Sequence, residues 1–115
     1  MTALGPLYHW SPRERLRGIQ RLGLIPGRPS TQPSYNPDGS EFRQPAVCAS
    51  LDAATAWAYS HGAWKSTGTF DLWQFSLVDD DAVEVRSFWG ARIVEVRVHN
   101  RIRKARLRWI GERTV

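Results

Sequence analysis

The fold of this chain is decided by the stretch Leu7-Tyr8-His9-Trp10-Ser11 and the helical pattern that follows it. An apolar strand that ends in a histidine presents the imidazole at an edge, where the ring can hydrogen-bond a ligand. The segment Ser11-Pro12-Arg13-Glu14 has the pattern of a capping box with proline at the first helical position. We therefore expect a strand over residues 5–10 and a helix over residues 12–22 that ends at Gly23. The apolar positions of this helix form one stripe: Leu16, Ile19 and Leu22.

A long irregular stretch, residues 26–46, separates this first unit from the rest of the chain. It holds five of the seven prolines. Loops longer than about 12–15 residues are uncommon inside compact domains and are usually functional lids or disordered segments. We expect a mobile flap.

A short apolar strand over residues 46–50 and an alanine-rich helix come next. Ser50 is placed to N-cap this helix, Asp52 lies in its first turn, and its body runs through Tyr59. The one cysteine, Cys48, lies in the strand among apolar neighbours, which indicates an inert buried residue.

The second half of the chain has the period-two alternation of β-strands. One apolar face is expected along residues 70–78, and it continues in residues 83–85. The three aspartates at 79–81 are interpreted as a hairpin turn with solvated acids, because no further oxygen ligands follow at calcium-loop spacing. The residues of the first face and its continuation are Trp73, Phe75, Leu77, Val83 and Val85.

A further strand is predicted around Glu95. Val94, Val96 and Val98 form its apolar face, so Glu95 and Arg97 point the other way. Residues 107–112 are predicted to form the last strand. The element order predicts an α+β fold with two early helices and a strand-rich C-terminal half.

Length and composition indicate one ordinary globular domain, residues 1–115. The chain is 42% hydrophobic and 23% charged, and one cysteine excludes an intrachain disulfide. No apolar run is long enough for a transmembrane helix and no signal-peptide core is present, so we expect a cytoplasmic protein.

Basic residues are concentrated toward the C-terminus. The net charge is +5, and eight of the 16 Lys and Arg residues lie from Arg92 onward. Such a surface favours anionic partners, from a dinucleotide pyrophosphate to nucleic acid, although a solvated arginine-bearing strand face has the same composition.

Three stretches, taken in their order, resemble the ADP-ribosyltransferase superfamily. Leu7-Tyr8-His9-Trp10-Ser11, with the helix and Gly23-Leu24, is similar to the family's strand ending in His-Gly-Thr and its helix closing on Gly-Leu. Residues 46–59 resemble the second motif, a strand leading into a helix that carries an aromatic. Residues 93–98 resemble the strand that bears the family's glutamate. The resemblance implies a small split-sheet fold and NAD as co-substrate, with no metal, and it implies that the flap of residues 26–46 covers the cleft that holds the dinucleotide.

The resemblance also implies roles for individual residues. His9 would hydrogen-bond the adenosine-side ribose of NAD, and the backbone of Trp10, in the stretch that includes Ser11, would hold the nicotinamide carboxamide. Tyr59 would stack on the nicotinamide ring. Glu95 would hydrogen-bond the ribose 2′-hydroxyl and stabilise the positive charge that develops as the glycosidic bond breaks. The acceptor of ADP-ribose would be a macromolecule, with nucleic acid as one candidate.

Several alternatives stay open. Ser50 competes with Tyr59 as the second-motif residue, and Glu112 competes with Glu95 for the acidic role. Trp10 stands where the family usually has glycine, so its side chain could crowd the nicotinamide site.

Two other functions also fit the resemblance. An RNA 2′-phosphotransferase-like enzyme would need arginines beside the cleft, with Arg92, Arg97 and Arg101 as candidates. A non-catalytic module of the same fold would bind a nucleotide, nucleic acid or protein, and would show Trp10 plugging the pocket or Glu95 paired away from it.

Overall fold

The computed structural model describes residues 5–27, 45–58, 67–87 and 93–115. Within these ranges the chain forms six strands and two α-helices, and the α+β fold with a strand-rich C-terminal half is confirmed. The strands are β1 (Leu7–Pro12), β2 (Val47–Ala49), β3 (Thr69–Phe75), β4 (Val83–Ser87), β5 (Ile93–Val98) and β6 (Arg108–Thr114). The helices are α1 (Leu16–Leu22), preceded by a 3-10 turn at Arg13–Arg15, and α2 (Ala53–Ala58).

The strands form two antiparallel sheets of three strands each. One sheet has the order β1-β3-β6 and the other β2-β5-β4. Among the described residues one bridge joins them, in which Tyr8 and Ser50 exchange backbone hydrogen bonds of 2.8 and 3.0 Å. The two sheets therefore meet between β1 and β2.

The hydrophobic core covers one face of both sheets. Because side chains alternate along a strand, Val96 and Val98 of β5 and Trp73 and Phe75 of β3 all lie on this face, as the alternation predicts. Ile19 of α1 packs against it. The buried members of the core are Leu7, Ile19, Leu24, Val47, Ala49, Trp73, Phe75, Val96, Val98 and Ile102.

The edge strand β4 departs from the expected apolar face. Val83 and Val85 pair with Val98 and Val96, yet both are exposed. They lie on the last strand of the β2-β5-β4 sheet, beyond the reach of the core cluster.

The predicted capping box at the start of the first helix is wrong. Ser11 belongs to β1 and is buried, and its hydroxyl accepts a hydrogen bond of 3.2 Å from the Trp73 indole N–H. No side chain caps the turn at Pro12. Burial of Ser11 against β3 removes the hydroxyl from the helix end.

The cap of the second helix is also misplaced in the prediction: it lies two residues later, at Asp52 instead of Ser50. The helix begins at Ala53, so Ser50, whose backbone pairs with Tyr8, precedes it by three residues and does not occupy the cap position. The Asp52 carboxylate accepts hydrogen bonds from the Thr55 amide at 2.7 Å and from the Thr55 hydroxyl at 2.9 Å. An aspartate in this position satisfies an amide that the helix leaves without an internal partner.

The aspartates at 79–81 do not form a hairpin turn, because β3 and β4 belong to different sheets. Asp81 is not solvated either: its carboxylate is buried and binds Arg106 at 2.6 Å. Burial alone would raise the pKa of Asp81, but hydrogen bonds from Arg106, the Val78 amide and Asn100 outweigh it and lower the pKa to about 2. Asp81 therefore anchors the turn between the sheets.

Most of the expected flap, residues 28–44, lies outside the described residues, as does Tyr59. The ends of the flap are described: Gly27 and Ala46 exchange backbone hydrogen bonds of 3.2 and 3.0 Å. Nowhere in the described ranges does a helix have the length and apolar character needed to span a membrane.

Gly23, which the sequence places at the end of α1, is required there for two reasons. Its φ of +83° is disfavoured for any residue with a side chain, and a Cβ would lie 2.0 Å from the Ile102 carbonyl oxygen. We expect Gly23→Ala to lower the free energy of unfolding by about 2–3 kcal/mol in a urea titration. The matched control is Gly18→Ala, since Gly18 is exposed on α1 and a Cβ there would contact nothing. We expect this substitution to raise the free energy of unfolding by about 0.5–1 kcal/mol. Equal effects of the two substitutions would contradict this account.

Candidate functional site

The sheets separate at His9, immediately after the Tyr8–Ser50 bridge. The next backbone pair is not formed; instead the His9 ring enters the gap, and its Nδ1 lies 2.6 Å from the Cys48 carbonyl oxygen. The side chain thus takes the place of a backbone donor where β1 and β2 diverge. This split is the feature around which the candidate site is built.

The hydrogen bond to Cys48 fixes the tautomer of His9. A carbonyl oxygen only accepts, so Nδ1 carries the proton and Nε2 keeps its lone pair as an acceptor. Burial lowers the pKa of His9 below 6.5, the bond to Cys48 offsets part of this, and the positive charge of Arg15 lowers it further. The ring is therefore neutral at physiological pH and offers Nε2 to a hydroxyl donor.

The lowered pKa of His9 predicts a loss of stability in acid. The unfolded chain takes up the proton near pH 6.5 before the folded chain does, so the stabilisation is complete above pH 6.5 and declines as the pH falls below it. The loss approaches about 1.4 kcal/mol per pH unit until the folded pKa is reached. Urea unfolding at pH 7.5 and 5.5 measures this loss. The free energy of unfolding should fall less between the two pH values in His9→Gln than in wild type, because the glutamine amide can still donate to Cys48 but does not titrate. An identical loss in both proteins would rule out this role.

Trp10 alternates to the other face of β1, where it packs against α2. Its indole N–H donates to the Ala53 carbonyl at 2.9 Å, and its ring meets Trp57 edge to face with centroids 5.1 Å apart. Trp57 meets Phe70 in the same way at 5.2 Å, and the Arg113 guanidinium lies 4.2 Å above the Trp57 ring. The indole of Trp10 is thus committed to the packing of α2 on the sheet.

Glu95 and Arg97 share the face of β5 opposite the core, as the alternation predicts. The structure adds that they form an ion pair with each other. Arg97 is 1% exposed. Such a buried pair has to be held by further hydrogen bonds, because two charges removed from water are otherwise costly.

The strand register brings Glu95 to the junction between the sheets. Cys48 pairs with Arg97 and Ala49 with Val96, so Glu95 and Ser50 each lie one residue beyond the last pair of β5 and β2, and the backbone of Ser50 binds Tyr8. His9 and Glu95 approach this junction from opposite faces of the sheets. A ligand that contacts both has to enter the gap between β1 and β2.

A charged sheet face surrounds Glu95, and sequence reasoning missed its extent. Arg86 pairs across β4 and β5 with Glu95, and Glu84 pairs with Arg97. Glu84 lies 3.6 Å from the Arg86 guanidinium and 3.5 Å from the His99 ring. Two neighbouring strands that each carry Glu and Arg two positions apart are the signal that predicts such a face.

The remaining sequence candidates lie elsewhere. Glu112 is on β6 of the other sheet, 51% exposed and 3.3 Å from Arg13. Arg101 is exposed after the end of β5, and Arg92 lies outside the described residues. The Ser11 hydroxyl is occupied by Trp73. The structure therefore groups His9, Trp10, Ser50 and Glu95 at one junction, and places neither Glu112 nor the Ser11 hydroxyl there.

Cys48 contributes its carbonyl rather than its thiol. Burial, together with the charge of Glu95, raises the pKa of the thiol to about 12. A thiol with such a pKa stays protonated and is a poor nucleophile. The inert character predicted for Cys48 fits this environment.

A shallow hollow of about 300 Å³ lies away from the split, at the end of β3. Its lining residues are Gln74, Phe75, Ser76, Val78, Arg106 and Arg108. Arg106 is already held by Asp81, and neither His9 nor Glu95 reaches the hollow. It is not the candidate site.

Comparison of the chain with protein families, with curated proteins and with solved structures finds no match.

Proposed function

We propose that this chain is a small ADP-ribosyltransferase-like enzyme that cleaves NAD and transfers ADP-ribose to a macromolecular acceptor. The observation that supports it best is the split between β1 and β2, where the His9 ring replaces a backbone donor and Glu95 lies one residue beyond the last pair of β2 and β5. Two antiparallel three-stranded sheets joined at this point agree with the split-sheet fold that the resemblance implies.

In this proposal His9 is a binding residue. Its Nε2 accepts a hydrogen bond from a ribose hydroxyl, and the bond from Nδ1 to Cys48 keeps the ring neutral and oriented for that task. The backbone of Trp10 holds the carboxamide, and the Trp10 side chain stays on α2. Tyr59 remains the proposed stacking residue, with Ser50 as the alternative polar group of the second motif.

Glu95 supplies the charge for the reaction. The bond between nicotinamide and the ribose C1′ breaks with its electron pair going to nicotinamide, which leaves positive charge on the ribose. A fixed carboxylate stabilises that charge as it develops. The acceptor nucleophile then forms the new bond to C1′ and gives up its proton to solvent water.

A second candidate is a nucleotide-binding module without catalysis. The ion pair between Glu95 and the buried Arg97 favours it, because a carboxylate held by a guanidinium is directed away from a ribose hydroxyl. The RNA 2′-phosphotransferase alternative gains less support. Of its arginines, Arg97 is bound to Glu95 and Arg101 is exposed beyond β5.

Calorimetric titration with NAD, combined with a nicotinamide-release assay, tests these proposals. Saturable binding with release of nicotinamide supports the enzyme. Binding with no release, with or without candidate acceptors, supports the module. Absence of NAD binding contradicts the NAD-dependent enzyme.

A further inference from the structure

Two segments far apart in the sequence carry only positive charge. Residues 15–22 contain three arginines and residues 101–107 contain four basic residues, and neither segment contains an acidic residue. The exposed members of the two segments, here called the basic face, are Arg15, Arg17, Arg21, Arg101, Arg103 and Lys104.

The structure places these segments side by side. Leu24 and Ile102 exchange backbone hydrogen bonds of 2.9 Å each. The bare Cα of Gly23 allows the end of α1 to approach the 101–104 backbone, since a Cβ there would also lie 2.9 Å from the Lys104 amide nitrogen. The exposed cations at the end of α1 and in residues 101–104 are therefore neighbours on the surface.

The basic face differs from the other arginines of the C-terminal half. Arg97 and Arg106 are held by Glu95 and Asp81. The six residues of the basic face are exposed, and none forms an ion pair with a carboxylate in the described ranges. A concentration of unneutralised charge on one surface attracts a polyanion.

The basic face also extends toward the candidate site. The positive charge of Arg15 contributes to the lowered pKa of His9. The end of the basic face at Arg15 is therefore close enough to the split to act on it electrostatically. A long anion bound along α1 would therefore pass close to the junction between the sheets.

We propose that the basic face binds the phosphate backbone of a nucleic acid. Five of its six cations are arginines, whose planar guanidinium groups match phosphate oxygens in a bidentate manner. The binding itself is independent of the proposed NAD chemistry; only the further role of the bound strand as acceptor rests on the proposed function.

The test is fluorescence anisotropy with a labelled single-stranded DNA of about 20 nucleotides and the RNA of the same sequence, measured over a range of salt concentrations. We compare wild type with Arg21→Glu, Lys104→Glu and the double variant. The control is Arg108→Glu, which makes the same charge change per residue at an exposed position of β6. Arg108 pairs with Gln74, on the face of the β1-β3-β6 sheet that points away from the core. We expect the double variant to bind at least about 10-fold more weakly, with a salt slope reduced by about 1–2, and Arg108→Glu to stay within about 3-fold of wild type.

Three outcomes overturn the proposal: no binding by wild type, equal weakening in Arg108→Glu, or binding to phosphatidylserine vesicles but not to nucleic acid. Nicotinamide release from NAD without acceptor is measured on the same proteins. Nicotinamide release in a wild-type protein that does not bind nucleic acid would contradict this inference and leave the proposed function standing. Nucleic-acid binding without nicotinamide release would contradict the proposed function and leave this inference standing.

Discussion

Glu95→Gln should lower nicotinamide release by about 100-fold or more while NAD binding is retained, because the carboxylate acts on charge that develops only as the bond breaks. Glutamine preserves the shape of the side chain and can still hydrogen-bond a ribose hydroxyl, but it supplies no negative charge. Single-turnover release of nicotinamide, with calorimetric titration of NAD in parallel, measures the two effects separately.

The control for Glu95 is Glu112→Gln, which neutralises the competing carboxylate on β6. It should leave release within about 2-fold of wild type, since Glu112 is exposed and lies on the other sheet. Because Glu95 faces the buried Arg97, both variants are assayed at temperatures below their measured unfolding transitions. Loss of release in Glu112→Gln and not in Glu95→Gln would reverse the assignment of the acidic residue.

Asp71→Asn should lower the free energy of unfolding by about 3–5 kcal/mol, the largest effect on stability that we expect. Asp71 is 0% exposed on the central strand of the β1-β3-β6 sheet. Its carboxylate accepts two hydrogen bonds from the Arg13 Nε and Nη2 at 2.9 and 2.8 Å and one from the Trp109 indole at 3.0 Å. It therefore ties the turn after β1 and the edge strand β6 to β3, and an amide cannot satisfy all three donors.

Glu112→Gln is also the control for the stability measurement. The Glu112 carboxylate forms an ion pair of 3.3 Å with the same Arg13 guanidinium as Asp71, but it is half exposed. We expect it to change the free energy of unfolding by less than about 0.5 kcal/mol. Urea unfolding followed by tryptophan fluorescence gives both values. Similar losses in Asp71→Asn and Glu112→Gln would show that burial does not set the strength of these bonds.

The strand and helix pattern could be predicted where local periodicity and burial agree. Val96 and Val98 of β5, the aromatics Trp73 and Phe75 of β3 and the glycine that ends α1 all follow from spacing, and the structure confirms them. The side chain of Val94 lies outside the described residues. The predicted helix caps are wrong for two reasons: the Ser11 hydroxyl binds Trp73, a partner distant in the sequence, and α2 begins at Ala53, which leaves the cap position to Asp52 rather than Ser50. The predicted hairpin at 79–81 is wrong because β3 and β4 belong to different sheets, and no local pattern in the sequence indicates this.

The candidate site could be predicted only in part for the same reason. His9 and Glu95 were singled out by resemblance, but the bond from His9 to the Cys48 carbonyl joins residues 39 positions apart and has no local signature. The burial of Arg97 depends on the packing of β5 between β2 and β4. The basic face could not be predicted either, because α1 and residues 101–104 are far apart in the sequence and meet at the Leu24–Ile102 bridge.

The central claim is that His9 is held in the split as a neutral ring whose Nε2 binds NAD, and nitrogen-15 NMR of the histidine side chains tests it most directly. The His9 resonances are assigned by their loss in His9→Gln. At neutral pH we expect Nδ1 to be protonated and Nε2 to be unprotonated, and the Nε2 resonance to shift in a saturable manner toward that of a hydrogen-bonded acceptor as NAD is added. A ring protonated at Nε2, or His9 resonances that do not change at any NAD concentration, would contradict the account.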